Sequence, residues 1–202
     1  MHRTAARVPD TRLGRVELSG ARVTVCAAPD DAMEGWLREL RRQRAEVTCI
    51  WPPPRRFESG MDLLICEYFP KVSDTLPWEP GEAGAALLLL LPQNGRQDPA
   101  EIAAATAHGV VGRPFTPPVL MTAAQVALSQ FRYERRLKER ISQLDENLRS
   151  IRVVERAKLI LMTEERLAEP AAYRRLRETA MQQRVSVVDV ADAIVRRAEL
   201  TR

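Results

Sequence analysis

Several residue types that chemistry depends on are scarce in this 202-residue chain. It has two histidines, His2 and His108, so histidine-based catalysis has little to draw on. Three cysteines, Cys26, Cys49 and Cys66, make an odd number with no C-x-x-C spacing, which suggests neither a disulfide framework nor a zinc site. Reduced thiols in a cytoplasmic protein are the expectation, with no metal and no cofactor. The longest apolar run, Ala85 to Leu91, is too short to span a bilayer and fits a buried strand, so no membrane partner is expected. Residues 1–19 carry four arginines but no apolar core and read as a flexible arm rather than a secretory signal.

Two other absences are local. All 9 glycines lie at or before Gly112, and of the 14 prolines only Pro170 follows Pro118. Charge divides in the same way. Residues 1–130 hold 14 Lys and Arg against 15 Asp and Glu, whereas residues 131–202 hold 17 against 12. A loop-rich, near-neutral half therefore precedes a basic half with few breakers, and a uniform single domain is not expected.

What is present in the first half is a series of short apolar segments. Arg22–Cys26, Val47–Trp51, Asp62–Cys66, Ala86–Leu91 and the brief Val110-Val111 read as five strands, with Pro52-Pro53-Pro54 stopping the second. Helices are expected at Ala32–Arg44, where Met33, Trp36, Leu37 and Leu40 share a face, and at Ile102–His108. Pro70 to Gly84, with prolines at 70, 77 and 80, suits a loop. Strands that are apolar throughout and alternate with helices indicate an α/β fold with a doubly wound parallel sheet, over residues 20–118.

This order resembles the receiver domain of two-component response regulators. In that family an acidic pair after strand one binds magnesium, an aspartate after strand three is phosphorylated, and a Ser/Thr and a Lys-Pro follow strands four and five. The resemblance places Ala27 and Ala28 at the acidic pair, Glu67 at the phosphoacceptor, Leu91 at the hydroxyl and Arg113 at the lysine. Asp30 and Asp31 fall too late to serve as the pair. Alanines cannot hold Mg²⁺, which needs oxygen ligands, and glutamate sets its oxygens one methylene farther out. The expectation is a pseudo-receiver that is not an enzyme. Glu67 and Arg113 then have either a packing or interface role, or form a fixed ion pair like the phosphorylated state.

From Val119 to Leu167 there is neither glycine nor proline, and helix formers dominate. Within residues 119–152, Leu137, Ile141, Leu144, Leu148 and Ile151 are spaced 4, 3, 4, 3, a heptad seam flanked by charge. Two outcomes fit: an amphipathic helix packed on its own chain, or a parallel homodimeric coiled coil, which the scarcity of other apolar surface favours.

Residues 153–202 read as a three-helix bundle. The first helix ends near Arg166, the second starts near Pro170, and the third follows a Ser186-x-x-Asp189 cap. Three blocks, Ala157-Lys158-x-x-Leu161-Met162, Ala172-Tyr173-x-x-Leu176-Arg177-x-x-Ala180-Met181 and Val187-x-Asp189-Val190-Ala191, resemble the ANTAR family. Leu159 departs from the glycine of many members. The three-part build, with Trp51-Pro52-Pro53-Pro54 and His108-Gly109-Val110, is similar to that of ANTAR antitermination regulators that join a pseudo-receiver, a coiled coil and an ANTAR domain.

ANTAR domains are RNA-binding modules of bacterial transcription antiterminators. The resemblance thus implies a cytoplasmic homodimer that grips hairpins of a leader mRNA and blocks terminator formation. With phosphorylation excluded on residue grounds, it implies control by a ligand-sensing partner protein. Cations must meet phosphates, and Lys158 and Arg177 are the leading candidates, followed by Arg174, Arg175 and Arg184. Tyr173 is expected in the core, with base stacking as the alternative, and Leu161, Leu176, Ala180 and Met181 are expected to pack. The rival is a DNA-binding transcription factor using the second and third helices as a helix-turn-helix. Against it, the third helix offers Val, Ala, Ile and Asp where base-reading Arg, Asn or Gln are wanted. A dimeric scaffold without nucleic acid is a further alternative.

Overall fold

The computed structural model describes residues 18–94 and 97–200; most of the expected N-terminal arm lies outside them. Leu18, inside the expected arm, is fully buried in the core. The chain divides into two compact units, the first ending at Arg135 and the second starting at Arg136.

The first unit is built on five parallel strands: β1 (Arg22–Cys26), β2 (Glu46–Cys49), β3 (Leu63–Glu67), β4 (Ala86–Leu91) and β5 (Gly109–Gly112). Their spatial order is β2-β1-β3-β4-β5, the doubly wound arrangement in which the strand order reverses beside β1. In register, Val25 lies beside Ile65, Ile65 beside Leu88, and Leu90 beside Val111. Both faces are apolar because both are covered. On one face, Leu63, Ile65, Leu88 and Leu90 meet Met33, Trp36 and Leu40 of α1 (Asp31–Arg42) and Leu120, Ala124 and Leu128 of α3 (Pro117–Glu164). On the other, Leu64, Leu87 and Leu89 meet Phe57, Tyr68, Val72, Leu76 and Ala105.

The covering of that second face is thin. The expected loop between Pro70 and Gly84 contains only a 3-10 turn at Val72–Thr75. The short helix α2 runs over Pro99–Ala104 rather than Ile102–His108, since the Asp98 carboxylate accepts from the Ala100 N–H and starts it early. The second strand ends at Cys49, short of Trp51, which is exposed. Gly109 packs tightly under α3: a Cβ there would lie 3.0 Å from Leu88 Cδ1, which would have to shift, and 3.5 Å from the Ala127 Cβ of α3. Beside it the His108 ring, edge-on to Phe131, accepts the Leu87 N–H at Nδ1 and lies 3.6 Å from Glu134 through Nε2.

The second unit packs the end of α3 against α4 (Glu169–Gln183) and α5 (Val187–Leu200). Ala157, Ala172, Ala180 and Ala191 are all buried, and these small side chains let the helices approach closely around Leu161, Leu176, Val190 and Val195. Arg184 ends α4 in the left-handed conformation, with the Val185 N–H returning to the Ala180 carbonyl at 3.1 Å. The next helix opens on a reciprocal cap: the Asp189 N–H donates to Ser186 Oγ at 3.1 Å, and the Ser186 N–H donates to Asp189 Oδ2 at 3.0 Å.

Candidate nucleic-acid interface

Three groups of residues singled out in the sequence are placed by these elements. The first is the set that the receiver resemblance assigned to a degenerate phosphorylation site, which lies at the C-terminal ends of β1, β3, β4 and β5. Ala27 is buried and Ala28 half-buried, contributing methyl groups where oxygen ligands would be needed. Glu67, the last residue of β3, accepts the Ala28 N–H at 3.1 Å, and Arg113 Nε lies 3.4 Å from its other oxygen. Leu91 brings hydrocarbon to the end of β4.

The Glu67–Arg113 pair is therefore formed, and it has a third member that residue counting set aside. Asp30 caps α1 through Oδ1, which accepts the Met33 N–H at 2.7 Å, and its Oδ2 pairs with Arg113. Counting places Asp30 too late on the strand, but the chain turns back to begin α1 and returns the carboxylate to the pocket. The guanidinium also lies 5.0 Å from the centre of the Phe115 ring. One guanidinium thus lies between two carboxylates at this end of the sheet.

The second group is the seam. Leu137, Ile141, Leu144, Leu148 and Ile151 are all exposed on α3.

The third group lies on the basic bundle. The buried stripe of α4 is one residue wide, consisting of Ala172, Leu176 and Ala180 at four-residue intervals. One step farther round, about 100° away, Tyr173 is 46% exposed and Met181 71% exposed. The expectation that Met181 packs, and that Tyr173 is core, is corrected here: a bundle with alanines along the α4 ridge has room for one ridge only. Arg177 lies between them on the same face, exposed, with Arg174 at one edge and Arg184 at the C-terminal cap. Together Tyr173, Arg174, Arg177, Met181 and Arg184 occupy an arc of about 100°. Arg175 points elsewhere, toward Glu165 at 4.0 Å.

Lys158 lies near the end of α3, largely covered. Its side chain is 10% exposed, and Nζ donates to both oxygens of Glu155, at 2.9 and 3.0 Å, and to Glu169 at 2.7 Å. The hydrogen bond that Lys158 donates to Glu169, followed by those to Glu155, raises its pKa above the ordinary value, and the same bond lowers that of Glu169. The ammonium joins α3 to the start of α4, and its three hydrogen bonds all go to carboxylate oxygens.

Comparison with known proteins agrees with this division. Residues 142–195 match the ANTAR domain family. The chain is 32% identical over 83 residues to the transcriptional regulatory protein PdtaR of Mycobacterium tuberculosis, an alignment covering 41% of this chain and 40% of that protein's length. It is 23% identical over 182 residues to the aliphatic amidase regulator of Pseudomonas aeruginosa, covering 86% of this chain and 90% of that one. Among solved structures, the response regulator StyR shares the fold, with a TM-score of 0.51 at 16% identity over 87% of this chain and 98% of that one.

Proposed function

We propose, from the ANTAR match over residues 142–195, that this chain is an RNA-binding regulator of transcription by antitermination. The observation that carries it is the outer face of α4. An aromatic ring, a thioether and three guanidiniums stand in solvent along one side of the narrow ridge, Ala172, Leu176 and Ala180, by which α4 packs. Exposed loop bases are recognised by stacking and by forked donors, and phosphates by cations, and this face supplies all three. Two such faces, brought together by pairing of the α3 seams, suit two hairpins of a leader mRNA. Holding them prevents the overlapping terminator from forming.

Control comes from a ligand-sensing partner protein rather than phosphorylation. The support is the Asp30–Arg113–Glu67 network, in which the charge that would gather a phosphoryl group is already neutralised. The domains follow the same lines: a pseudo-receiver over 20–118, a coiled-coil segment over 119–152 and an RNA-binding bundle over 153–202. The DNA-reading alternative has little support on α5, where Asp189 is held by its cap and Asp192 lies 3.6 Å from Arg196.

The test is a binding comparison by fluorescence anisotropy at one fixed salt concentration. It uses leader RNA with tandem hairpins, the same RNA with altered loops, and the same sequence as duplex DNA. Preference for the first is expected. Equal affinity for all three refutes specific RNA recognition, and preference for the duplex establishes the DNA-binding alternative.

A further inference from the structure

The second unit has no glycine, yet its path twice needs the backbone conformation that glycine adopts most easily. Among its described residues two have a positive φ, Arg166 at 54° and Arg184 at 56°. Arg166 follows the end of α3 and turns the chain so that Leu167 packs on the bundle and Ala168 leads into α4. Arg184 ends α4 in the same conformation. The path of the chain requires these angles, not the arginines. A Cβ in the left-handed region crowds the following carbonyl, which is why glycine or asparagine usually stands there. Each position therefore holds arginine at some cost to stability.

Neither guanidinium offsets that cost within the protein. Both arginines are exposed, and among the described residues neither side chain has a hydrogen bond or ion pair. Two carboxylates precede Arg166, but Glu164 pairs with Arg197 at 3.1 Å and Glu165 lies 4.0 Å from Arg175. The two arginines flank α4, whose 15 residues extend about 22 Å. One cation thus stands at each end of the helix that presents Tyr173, Arg177 and Met181. We infer that Arg166 is a further RNA-contacting residue, and that Arg166 and Arg184 take backbone phosphates at the two ends of the α4 face. The inference rests on the RNA-binding function proposed above and extends its site across the turn between α3 and α4. A phosphate supplies the paired acceptors that suit a planar guanidinium and that neither arginine finds in the protein.

Arg44 provides the control for the test in the full chain. It is exposed and left-handed too, at φ 62°, but follows α1 in the first unit. Arg166→Gly and Arg44→Gly therefore remove the same charge and relieve the same backbone angle. Neither is expected to lower the melting temperature followed by circular dichroism. Each leaves it unchanged or raises it by up to about 2 °C, since glycine relieves the angle but frees the unfolded chain. Only Arg166→Gly is expected to weaken binding of a tandem-hairpin leader RNA in fluorescence anisotropy. The loss is roughly fivefold at about 0.15 M salt, with a salt slope lower by about 1. Arg166→Lys, which keeps the charge, is expected to keep the slope. Wild-type affinity in Arg166→Gly overturns the inference, and so does an equal loss in Arg44→Gly, which makes the effect one of net charge. A lower melting temperature for Arg166→Gly makes the arginine a structural residue and overturns it as well. A wild-type chain with no preference for the hairpin RNA overturns instead the RNA-binding function on which the inference rests.

Discussion

At the scale of single residues, Lys158 and Arg177 differ in how their charge is employed. The Lys158 ammonium is enclosed by Glu155 and Glu169, whereas Arg177 stands exposed on the outer face of α4. A cation that neutralises a phosphate releases counterions, and its removal lowers the slope of log K against log salt by about 1. Arg177→Ala is therefore expected to weaken RNA binding and reduce that slope. Lys158→Ala is expected to lower the melting temperature, and to weaken binding with the slope unchanged, because it acts through the junction of α3 and α4. Titrations at three salt concentrations distinguish the two, and a reduced slope for Lys158→Ala makes it a direct contact. Tyr173 gives a second prediction. Base–aromatic stacking contributes about 1–3 kcal/mol, so Tyr173→Ala is expected to cost roughly 5- to 150-fold in hairpin affinity, while Tyr173→Phe retains most of it. An alanine variant with wild-type affinity removes the ring from the interface.

At the scale of elements, the start of α5 shows how local sequence becomes measurable stability. Ser186 and Asp189 satisfy each other's backbone N–H groups, and the Ser186 side chain and N–H hold the Asp189 carboxyl below its ordinary value of 3.8. Loss of such a cap costs about 1 kcal/mol, the effect expected of Ser186→Ala in urea unfolding. Both Asp189 and Glu169 have folded-state pKa values below their unfolded ones. Their contribution is therefore fully present above the ordinary carboxylate range and is lost as pH falls through the folded values. Melting followed at α-helical wavelengths is expected to show lower stability below about pH 4 than at pH 7, with a smaller difference in Ser186→Ala. Equal acid sensitivity in that variant refutes the cap's share.

At the scale of the whole molecule, function depends on what is left uncovered. The first unit encloses its sheet and closes its pocket with Asp30, Arg113 and Glu67, while the second leaves an apolar stripe on α3 and a mixed basic face on α4. If two α4 faces act together, the second hairpin binds at the high effective concentration set by the first. Tandem-hairpin RNA is then expected to bind about 10²-fold or more tighter than a single hairpin, an advantage that Leu148→Asp abolishes. The same ratio in wild type and variant would separate RNA binding from dimer formation.

Much of this was legible before any coordinates. Arg22–Cys26 and Ala86–Leu91 are strands to the residue, because β-branched and leucine runs bounded by turn residues have few other solutions. The ANTAR blocks and the Ser186 cap were equally plain, being set by spacing along one chain. The faces of α4 were not: periodicity places Tyr173 and Met181 near the buried ridge, and only the close approach of alanine-lined helices leaves both in water. The same holds for Asp30, which enters the pocket through a cap, and for Lys158, which is enclosed by Glu169 from another helix. Sequence alone determined which segments form, because these follow from local patterns. Burial and ion pairing were decided by tertiary structure, because they depend on which distant residues arrive beside a given side chain.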